Sequence, residues 1–381
     1  MTTSWRARCG LAILLAVAAV AALAAPTGAC GTDERVFVGT DGTGLRALRF
    51  DACAGRLGTP SVVAYVEKPR WVVADASRSR LYVAVDGSGA EGRVAAYALE
   101  RRSGTLAPLG DTGAGGAGTT FLALAAASQT LLAANFGGGS VSSIALQTDG
   151  RPGPRVSTLK ASGSGPHRRQ ASAHAHGVTV SPDGRFVLVP DLGADRVFVY
   201  GFDGATHTLL QDDGAAPRAY ATAPGSGPRR VLFGAGGRVV YVLNELSAEV
   251  LTLRWDAEQG RLSPLHSQPI SSDHFHGDRS AAEMMLGRDG RFLYVADRGE
   301  STLLVYRVDP ASGALSLVQR LPSGGEAPWA FDLHPSGHWL AVAHHRSNRV
   351  GLFRVDPDSG RLSDTGQAVD APRPVSLTFV N

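Results

Sequence analysis

The feature that most constrains this chain is a short motif that recurs seven times along it. Each copy is a small or basic residue followed by an apolar or aromatic run and, in most copies, by Asn or Asp. The copies begin at Arg35, Arg80, Thr130, Arg185, Arg238, Arg291 and His338, and successive copies lie 45 to 55 residues apart. That length suits four short strands per unit. The repeat therefore predicts an all-β fold, a seven-bladed β-propeller.

One complete unit shows how the strands follow each other. Gly177–Val180 is an apolar strand, and the turn formers of Ser181–Gly184 separate it from a second strand at Arg185–Pro190. Arg196–Phe202 predicts the third strand, and a more polar fourth strand follows near Leu209. Hydrophobic residues mostly alternate with a period of two, which is typical of strands.

The two ends of the repeat are complementary. The first unit begins at its second strand and lacks an inner one, whereas Pro372–Phe379 resembles an inner strand with nothing after it. We therefore expect the C-terminal strand to complete the N-terminal blade. Such closure protects edges that would otherwise pair with other chains.

The N-terminal segment has the pattern of a secretory signal peptide. Arg6 and Arg8 precede the apolar stretch Leu11–Ala25, which contains Ala22-Leu23-Ala24 as a cleavage candidate. The stretch is short for a membrane span. We assign residues 1–25 to the signal and 31–381 to the propeller, which predicts a secreted or periplasmic protein without a membrane span in its mature form.

Two cysteines remain once Cys9 leaves with the signal. Cys30 and Cys53 flank a predicted hairpin formed by Arg35–Thr40 and Leu45–Phe50, so they emerge at its same open end. A disulfide between them is consistent with an oxidising compartment. The alternative is a lipoprotein site at Cys30, which we rank second because the usual Leu three residues earlier is missing.

The charge of the chain excludes some functions. The formal net charge is +3, and removal of Arg6 and Arg8 brings the mature chain close to neutral. No run of Lys and Arg would grip phosphates or an acidic membrane surface. We expect no nucleic-acid partner and no cofactor, and we expect a monomer that acts on a small molecule.

The repeat register places ionisable residues on one face of the ring. The start of the inner strand and the end of the second strand lie on the same side of each blade. These equivalent positions hold His176, Arg229, Glu245, Arg298 and His345, with Glu283 one residue beyond such a start. Different ionisable types that converge on one channel mouth suggest a site.

The same segments resemble the propeller lactonases, which include bacterial 6-phosphogluconolactonases and fungal 3-carboxy-cis,cis-muconate cyclases. The motifs that carry the resemblance are Ser172–Gly177, Gly227–Arg229, Val242–Glu245, Ser280–Glu283 and Tyr294–Gly299. The resemblance implies a lactone hydrolase with the catalytic residues His176, Arg229, Glu245 and Arg298. We assign substrate binding to Glu283, His174 and His345. The chain departs from these lactonases in two respects. Its predicted location is exported, and its third unit, Thr119–Ser140, is poor in polar residues on this face.

A mechanism follows from these residue types. His176 is the candidate for proton transfer, because imidazole titrates near neutral pH. Arg229 and Arg298 would bind a substrate carboxylate or phosphate and stabilise the oxyanion. Glu245 would orient an Arg or His, or act as the base.

Other interpretations stay open. Arg229 and Arg298 could pair with Glu245 and Glu283 in a purely structural network. A metal site at Asp273, His274 and His276 is disfavoured, since no Cys or second carboxylate cluster supports it. His174 could be a turn residue, and His167 with the two arginines after it fits a solvated loop. The alternative functions are a non-catalytic propeller that binds a ligand or protein, and a cyclase that forms the lactone.

Overall fold

The computed structural model describes residues 1–2, 34–75, 77, 79–87, 89–211 and 218–380. The chain divides into two units, residues 1–30 and 31–381, and the propeller is the second. The predicted signal peptide and Cys30 lie outside the described residues, apart from Met1 and Thr2. The described part of the second unit consists of strands joined by turns and loops, with no α-helix.

The described strands form seven antiparallel sheets, the blades, numbered along the chain. Blade 1 contains β1 (Glu34–Thr40), β2 (Thr43–Asp51), β3 (Arg56–Leu57) and β4 (Ser61–Glu67). Blade 2 contains β5 (Pro69–Asp75), β6 (Arg80–Val85), β7 (Glu91–Leu99) and β8 (Leu106–Ala117). Blade 3 contains β9 (Thr119–Ala125), β10 (Thr130–Asn135), β11 (Ser140–Leu146) and β12 (Pro152–Lys160).

The remaining blades repeat this meander. Blade 4 contains β13 (Thr179–Val180), β14 (Phe186–Asp191), β15 (Arg196–Asp203), β16 (Thr208–Leu210) and β17 (Arg218–Ala221). Blade 5 contains β18 (Pro228–Phe233), β19 (Val239–Asn244), β20 (Glu249–Asp256) and β21 (Arg261–Pro269). Blade 6 contains β22 (Ala281–Leu286), β23 (Phe292–Asp297), β24 (Thr302–Val308) and β25 (Leu315–Pro322). Blade 7 contains β26 (Pro328–Leu333), β27 (Trp339–His344), β28 (Arg349–Val355) and β29 (Leu362–Asp370).

The last strand closes the ring as the sequence predicts. β30 (Pro374–Val380) pairs antiparallel with β1, with Phe379 opposite Val36 and Leu377 opposite Val38. The Phe379 N–H also donates a 2.8 Å hydrogen bond to Asp332 Oδ2 on blade 7. Blade 1 is therefore built from both ends of the propeller, and the prediction of closure is confirmed.

Apolar wedges between neighbouring blades form the core. Between blades 5 and 6, for example, Tyr241 and Leu243 pack with Leu293 and Val295, and all four side chains are fully buried. Alternate residues of each strand point to opposite faces, so each blade contributes to two wedges. Burial of one such side chain stabilises the fold by roughly 1.5–3 kcal/mol, which makes the ring a rigid support for the loops at its mouth.

Candidate functional site

A β-bulge at the start of the inner strand places the first functional side chains. On blade 5 the register shifts between Pro228, opposite Asn244, and Arg230, opposite Leu243, which leaves Arg229 as the extra residue. Blade 7 has the same shift around Trp329. A bulge bends the strand and re-aims the side chain of the inserted residue. The sequence register located this position but does not reveal the bulge.

Glu245 is the centre of the site. It follows β19 directly, is fully buried, and has its backbone fixed by a 2.7 Å hydrogen bond from its N–H to the Gly227 carbonyl. Its Oε2 accepts a hydrogen bond from Arg229 Nη1 at 2.9 Å, and its Oε1 accepts one from Arg298 Nη2 at 2.6 Å. Arg169 Nη1 donates a third, at 2.5 Å, to Oε1. Three guanidinium groups thus surround one carboxylate.

Charge balance in this cluster keeps Glu245 ionised. Burial opposes ionisation, but Arg298 and Arg229 hold the pKa of Glu245 well below its usual value. Burial also lowers the pKa of Arg229 to about 9, against the favourable charge of Glu245. A carboxylate of such low basicity is a poor proton acceptor. Of its two predicted roles, the geometry favours orientation of the arginines.

His176 lies against Arg229. Its Nε2 is hydrogen-bonded to Arg229 Nη1 and lies 3.6 Å from Glu245 Oε2, while its buried Nδ1 has no hydrogen-bond partner among the described residues. Burial, followed by the charge of Arg229, lowers the pKa of His176 well below its usual value. The ring is therefore neutral at neutral pH. Proton transfer by His176 stays a prediction.

A cavity of about 930 Å³ opens above this cluster. Its wall carries five arginines, namely Arg168, Arg169, Arg279, Arg298 and Arg346. Asp278 is the one carboxylate among the described residues that line it, and Trp329 and His345 complete the part of the wall next to Arg298. A concave site with convergent cations binds anions. Arg298 and His345 are the predicted site residues on this wall.

Arg169 and Trp329 are site residues that sequence reasoning did not assign. Arg169 lies in the long connection between blades 3 and 4, where the repeat register gives no position. This connection is a loop as expected, and the Arg169 side chain is 37% exposed, but it also reaches Glu245. Trp329 stands at the position in blade 7 that Arg229 holds in blade 5, so the repeat register could have identified it. Its ring lies 4.3 Å from the Arg298 guanidinium carbon and 4.8 Å from the His345 ring centroid.

His345 is paired with an aspartate from blade 1. Its Nε2 lies 3.7 Å from Asp41 Oδ2. Asp41 also pairs with Arg70 Nη1 at 2.8 Å and with Arg373 Nη1 at 3.8 Å. Blades 1, 2 and 7 therefore meet at this side of the mouth.

Glu283 belongs to a different cluster. Its two carboxylate oxygens accept hydrogen bonds of 2.8 and 2.7 Å from Arg230, whose guanidinium lies 4.2 Å from the Trp71 ring and 4.0 Å from the Phe121 ring. The ion pair joins the neighbouring blades 5 and 6, while the ring contacts of Arg230 reach blades 2 and 3, so Arg230 spans the central channel. The structure thus separates Glu283 from Arg229 and Arg298, and substrate binding by Glu283 stays a prediction.

His174 holds a loop to the neighbouring blade. Its Nδ1 is 2.8 Å from the Phe136 carbonyl oxygen, and its ring stacks on Phe136 with 4.5 Å between the centroids. Phe136 also meets His176 edge-on at 5.2 Å. His174 therefore supports the wall beside His176, and its role in substrate binding stays a prediction.

Three further features concern a disulfide, metal ligands and membrane spans. Cys53 is disulfide-bonded, while its predicted partner Cys30 lies outside the described part of the chain. No group of three or more His, Cys, Asp or Glu in that part is arranged to hold a metal ion. None of the described segments is a helix long and apolar enough to span a membrane.

The sequence is similar to known proteins over most of its length. The sequence matches the family described as Lactonase, 7-bladed beta-propeller, over residues 28–379. The 6-phosphogluconolactonase of Bacillus subtilis is 29% identical over 339 residues, which cover 89% of this chain and 95% of that protein.

Solved structures agree with the sequence match. The periplasmic gluconolactonase of Pseudomonas aeruginosa superposes with a TM-score of 0.85 at 33% identity and covers 91% of this chain and 99% of its own. A protein from Lactobacillus plantarum superposes with a TM-score of 0.83 at 28% identity, covering 91% of this chain and 99% of its own. With its seven blades and its match across the whole ring, the chain belongs to the seven-bladed β-propeller lactonase family.

Proposed function

We propose that this protein is an exported lactonase that hydrolyses the ester bond of a sugar lactone or carboxylated lactone in the cavity above Glu245. The observation that carries the proposal is the arrangement of Arg298 and Arg169, which line the cavity while each donates to the Glu245 carboxylate. The carboxylate fixes both guanidinium groups without neutralising all the positive charge around it.

The charge of the cavity supports an anionic substrate. Three arginines share the single charge of Glu245, and His176 adds none at neutral pH. Arg168, Arg279 and Arg346 add further positive charge to the wall. A carboxylate on the lactone would meet fixed cationic donors that need no reorganisation on binding. We therefore favour a lactone that carries an acidic group.

The catalytic arginines have distinct positions in this proposal. Arg298 lies on the cavity wall with Nε and Nη2 held by Ser280 Oγ at 3.1 and 2.6 Å. It can stabilise the oxyanion that forms when water attacks the lactone carbonyl. Arg229 lies deeper, is 2% exposed, and donates from Nε to the Ala282 carbonyl. Arg229, whose Nη1 also donates to His176, holds Glu245 and thereby the position of Arg298.

Export to a secreted or periplasmic location is supported by three observations. The pattern of residues 1–25 is that of a signal peptide, and a structural relative at 33% identity is named a periplasmic gluconolactonase. The disulfide at Cys53 fits an oxidising compartment.

A lactone panel tests the function. Purified protein is assayed by pH-stat on sugar lactones, each compared with a counterpart that carries a carboxylate. We expect turnover, with a higher kcat/KM for the acidic member of each pair. Arg298→Ala should lower kcat/KM by about 10²–10³-fold, the typical effect of losing one oxyanion donor, while Arg261→Ala on the outer strand of blade 5 should not change it.

Two outcomes would replace the proposal. Binding of lactones without hydrolysis by the wild-type protein would favour a non-catalytic propeller. Net formation of a lactone from the open acid, for a compound whose equilibrium favours the closed form, would favour a cyclase.

A further inference from the structure

We propose that His345, backed by Asp41, is the catalytic acid–base residue of this site. The inference rests on the proposed function and deepens it, because lactone hydrolysis needs a group that takes a proton from water and returns it to the leaving alkoxide.

Access to the cavity distinguishes His345 from His176. The His345 side chain is 20% exposed and lines the cavity wall. His176 is 10% exposed, and its Nε2 already accepts a hydrogen bond from Arg229. A proton could move through that nitrogen only if Arg229 gave way, which would also disturb Glu245.

Asp41 orients the imidazole of His345. It lies 3.7 Å from Nε2 and is itself fixed by Arg70 at 2.8 Å. With a proton on Nε2 facing this carboxylate, Nδ1 is left with a lone pair. No described residue hydrogen-bonds to Nδ1. A histidine oriented by a carboxylate through one nitrogen, with the other free, is the arrangement that general bases use in hydrolases.

Trp329 contacts both this imidazole and the oxyanion donor. The Arg298 guanidinium carbon lies 4.3 Å from the Trp329 ring, and the His345 ring centroid lies 4.8 Å from it. His345 and Arg298 also occupy the same register position, directly after the second strands of blades 7 and 6. A lactone carbonyl at Arg298 therefore has His345 on the neighbouring blade.

Burial, with the positive charges nearby, keeps His345 in the form that accepts a proton. Burial lowers its pKa, Asp41 opposes the shift, and Arg373 and Arg298 add to it. Arg346, the next residue, lines the same cavity. The imidazole is thus neutral at neutral pH.

The proton balance of the reaction is complete with this one residue. Water attacks the carbonyl carbon and forms the new C–O bond while its proton passes to His345 Nδ1. The resulting oxyanion lies at Arg298. When the tetrahedral intermediate collapses, the ring C–O bond breaks and the imidazolium gives its proton to the alkoxide, which becomes a hydroxyl. The new carboxylic acid loses its proton to solvent, and His345 is neutral again.

Substitution of the two histidines separates the assignments. On a lactone that the wild-type protein hydrolyses, His345→Gln should lower kcat by roughly 10²–10⁴-fold with KM within about 3-fold. It should also remove the acid limb of the pH–rate profile. His176→Gln should retain that limb, and His266→Gln on outer strand β21 is the matched control, expected to leave both parameters unchanged.

Asp41→Asn provides a second readout if His345→Gln fails to fold, as judged by its thermal melt. Loss of the negative charge should lower the pKa of His345 and move the acid limb to lower pH, with a smaller loss of kcat. The inference is overturned if His345→Gln keeps the wild-type kcat, or if the acid limb of the pH–rate profile stays at the wild-type pH in Asp41→Asn. In either case the lactonase proposal stands. If the wild-type protein hydrolyses no lactone of the panel, both proposals fail.

Discussion

Glu245 and Arg229 form a hydrogen-bonded ion pair of 2.9 Å, with both side chains no more than 3% exposed. Arg229 is supplied by a bulge at the start of β18, and Glu245 follows β19, so one hairpin holds both partners. Removal of one member of a buried pair leaves the other charge uncompensated, which costs about 3–5 kcal/mol. The pair is therefore important for both stability and charge placement.

Glu245→Gln tests this dependence. We expect the free energy of unfolding to fall by about 3 kcal/mol, since the buried Arg229 loses its counter-charge. We also expect kcat/KM to fall, because Arg298 and Arg169 lose their common anchor. Urea titration and pH-stat assays measure the two effects. Glu258→Gln, on an exposed turn of the same blade, is the control, and equal stability of the two variants would contradict the prediction.

Arg169→Ala tests the charge of the cavity apart from its fold. The Arg169 side chain is 37% exposed, so its loss should change stability by less than about 1 kcal/mol. We expect KM for an acidic lactone to rise about 10-fold with little change in kcat. Added salt should reduce the difference from wild type, because screening weakens the contribution of a partly exposed charge. A KM that stays at the wild-type value would remove Arg169 from the binding surface.

The Arg230–Glu283 pair is expected to behave as a coupled unit. Arg230→Met leaves the Glu283 carboxylate buried without its two donors and should cost about 3–5 kcal/mol. Arg230→Met combined with Glu283→Gln should cost less than the two single changes together, with a coupling energy of about 1–3 kcal/mol. Urea titrations of the four proteins complete the cycle. Additive effects would show that the two side chains do not stabilise each other.

Asp332 should make stability depend on pH. Burial raises the pKa of Asp332 to about 7, against hydrogen bonds that include the Phe379 N–H. The folded state then keeps a proton that the unfolded chain has lost, so this group destabilises the fold as pH rises from about 4 to 7. Asp332→Asn should increase the free energy of unfolding at pH 8 by up to roughly 4 kcal/mol and leave it nearly unchanged at pH 3.5. Denaturation curves at both pH values measure the difference, and an equal effect at both would contradict the assignment.

Removal of residues 372–381 tests the ring closure. β1 would lose its inner partner, and Leu377 and Phe379, each at least 93% buried, would leave the core. We expect the cooperative thermal transition to disappear and the protein to associate through the exposed edge of β1. A synthetic peptide of residues 372–380 should restore the transition. Calorimetry and size-exclusion chromatography detect both changes, and an unaltered melt in the truncated protein would argue against closure by β30.

The sequence alone determined the architecture and the face on which the site lies. The seven motifs from Arg35 to His338 repeat because each blade needs the same alternation of buried and exposed residues. The unmatched first and last strands complete one another for the same reason, since an unpaired inner edge is unfavourable. Register also located Arg229, Glu245, Arg298 and His345, because equivalent positions in identical blades must meet at one mouth.

Only the tertiary structure decided which side chains touch. Arg169 reaches Glu245 from a connection that has no position in the repeat. Neighbouring residues Arg229 and Arg230 belong to different clusters, because the bulge turns the first to Glu245 while the second pairs with Glu283 of the next blade. Asp41 meets His345 from the opposite end of the chain. Such contacts depend on ring closure and on local bulges, which bring residues together without regard to their separation in sequence.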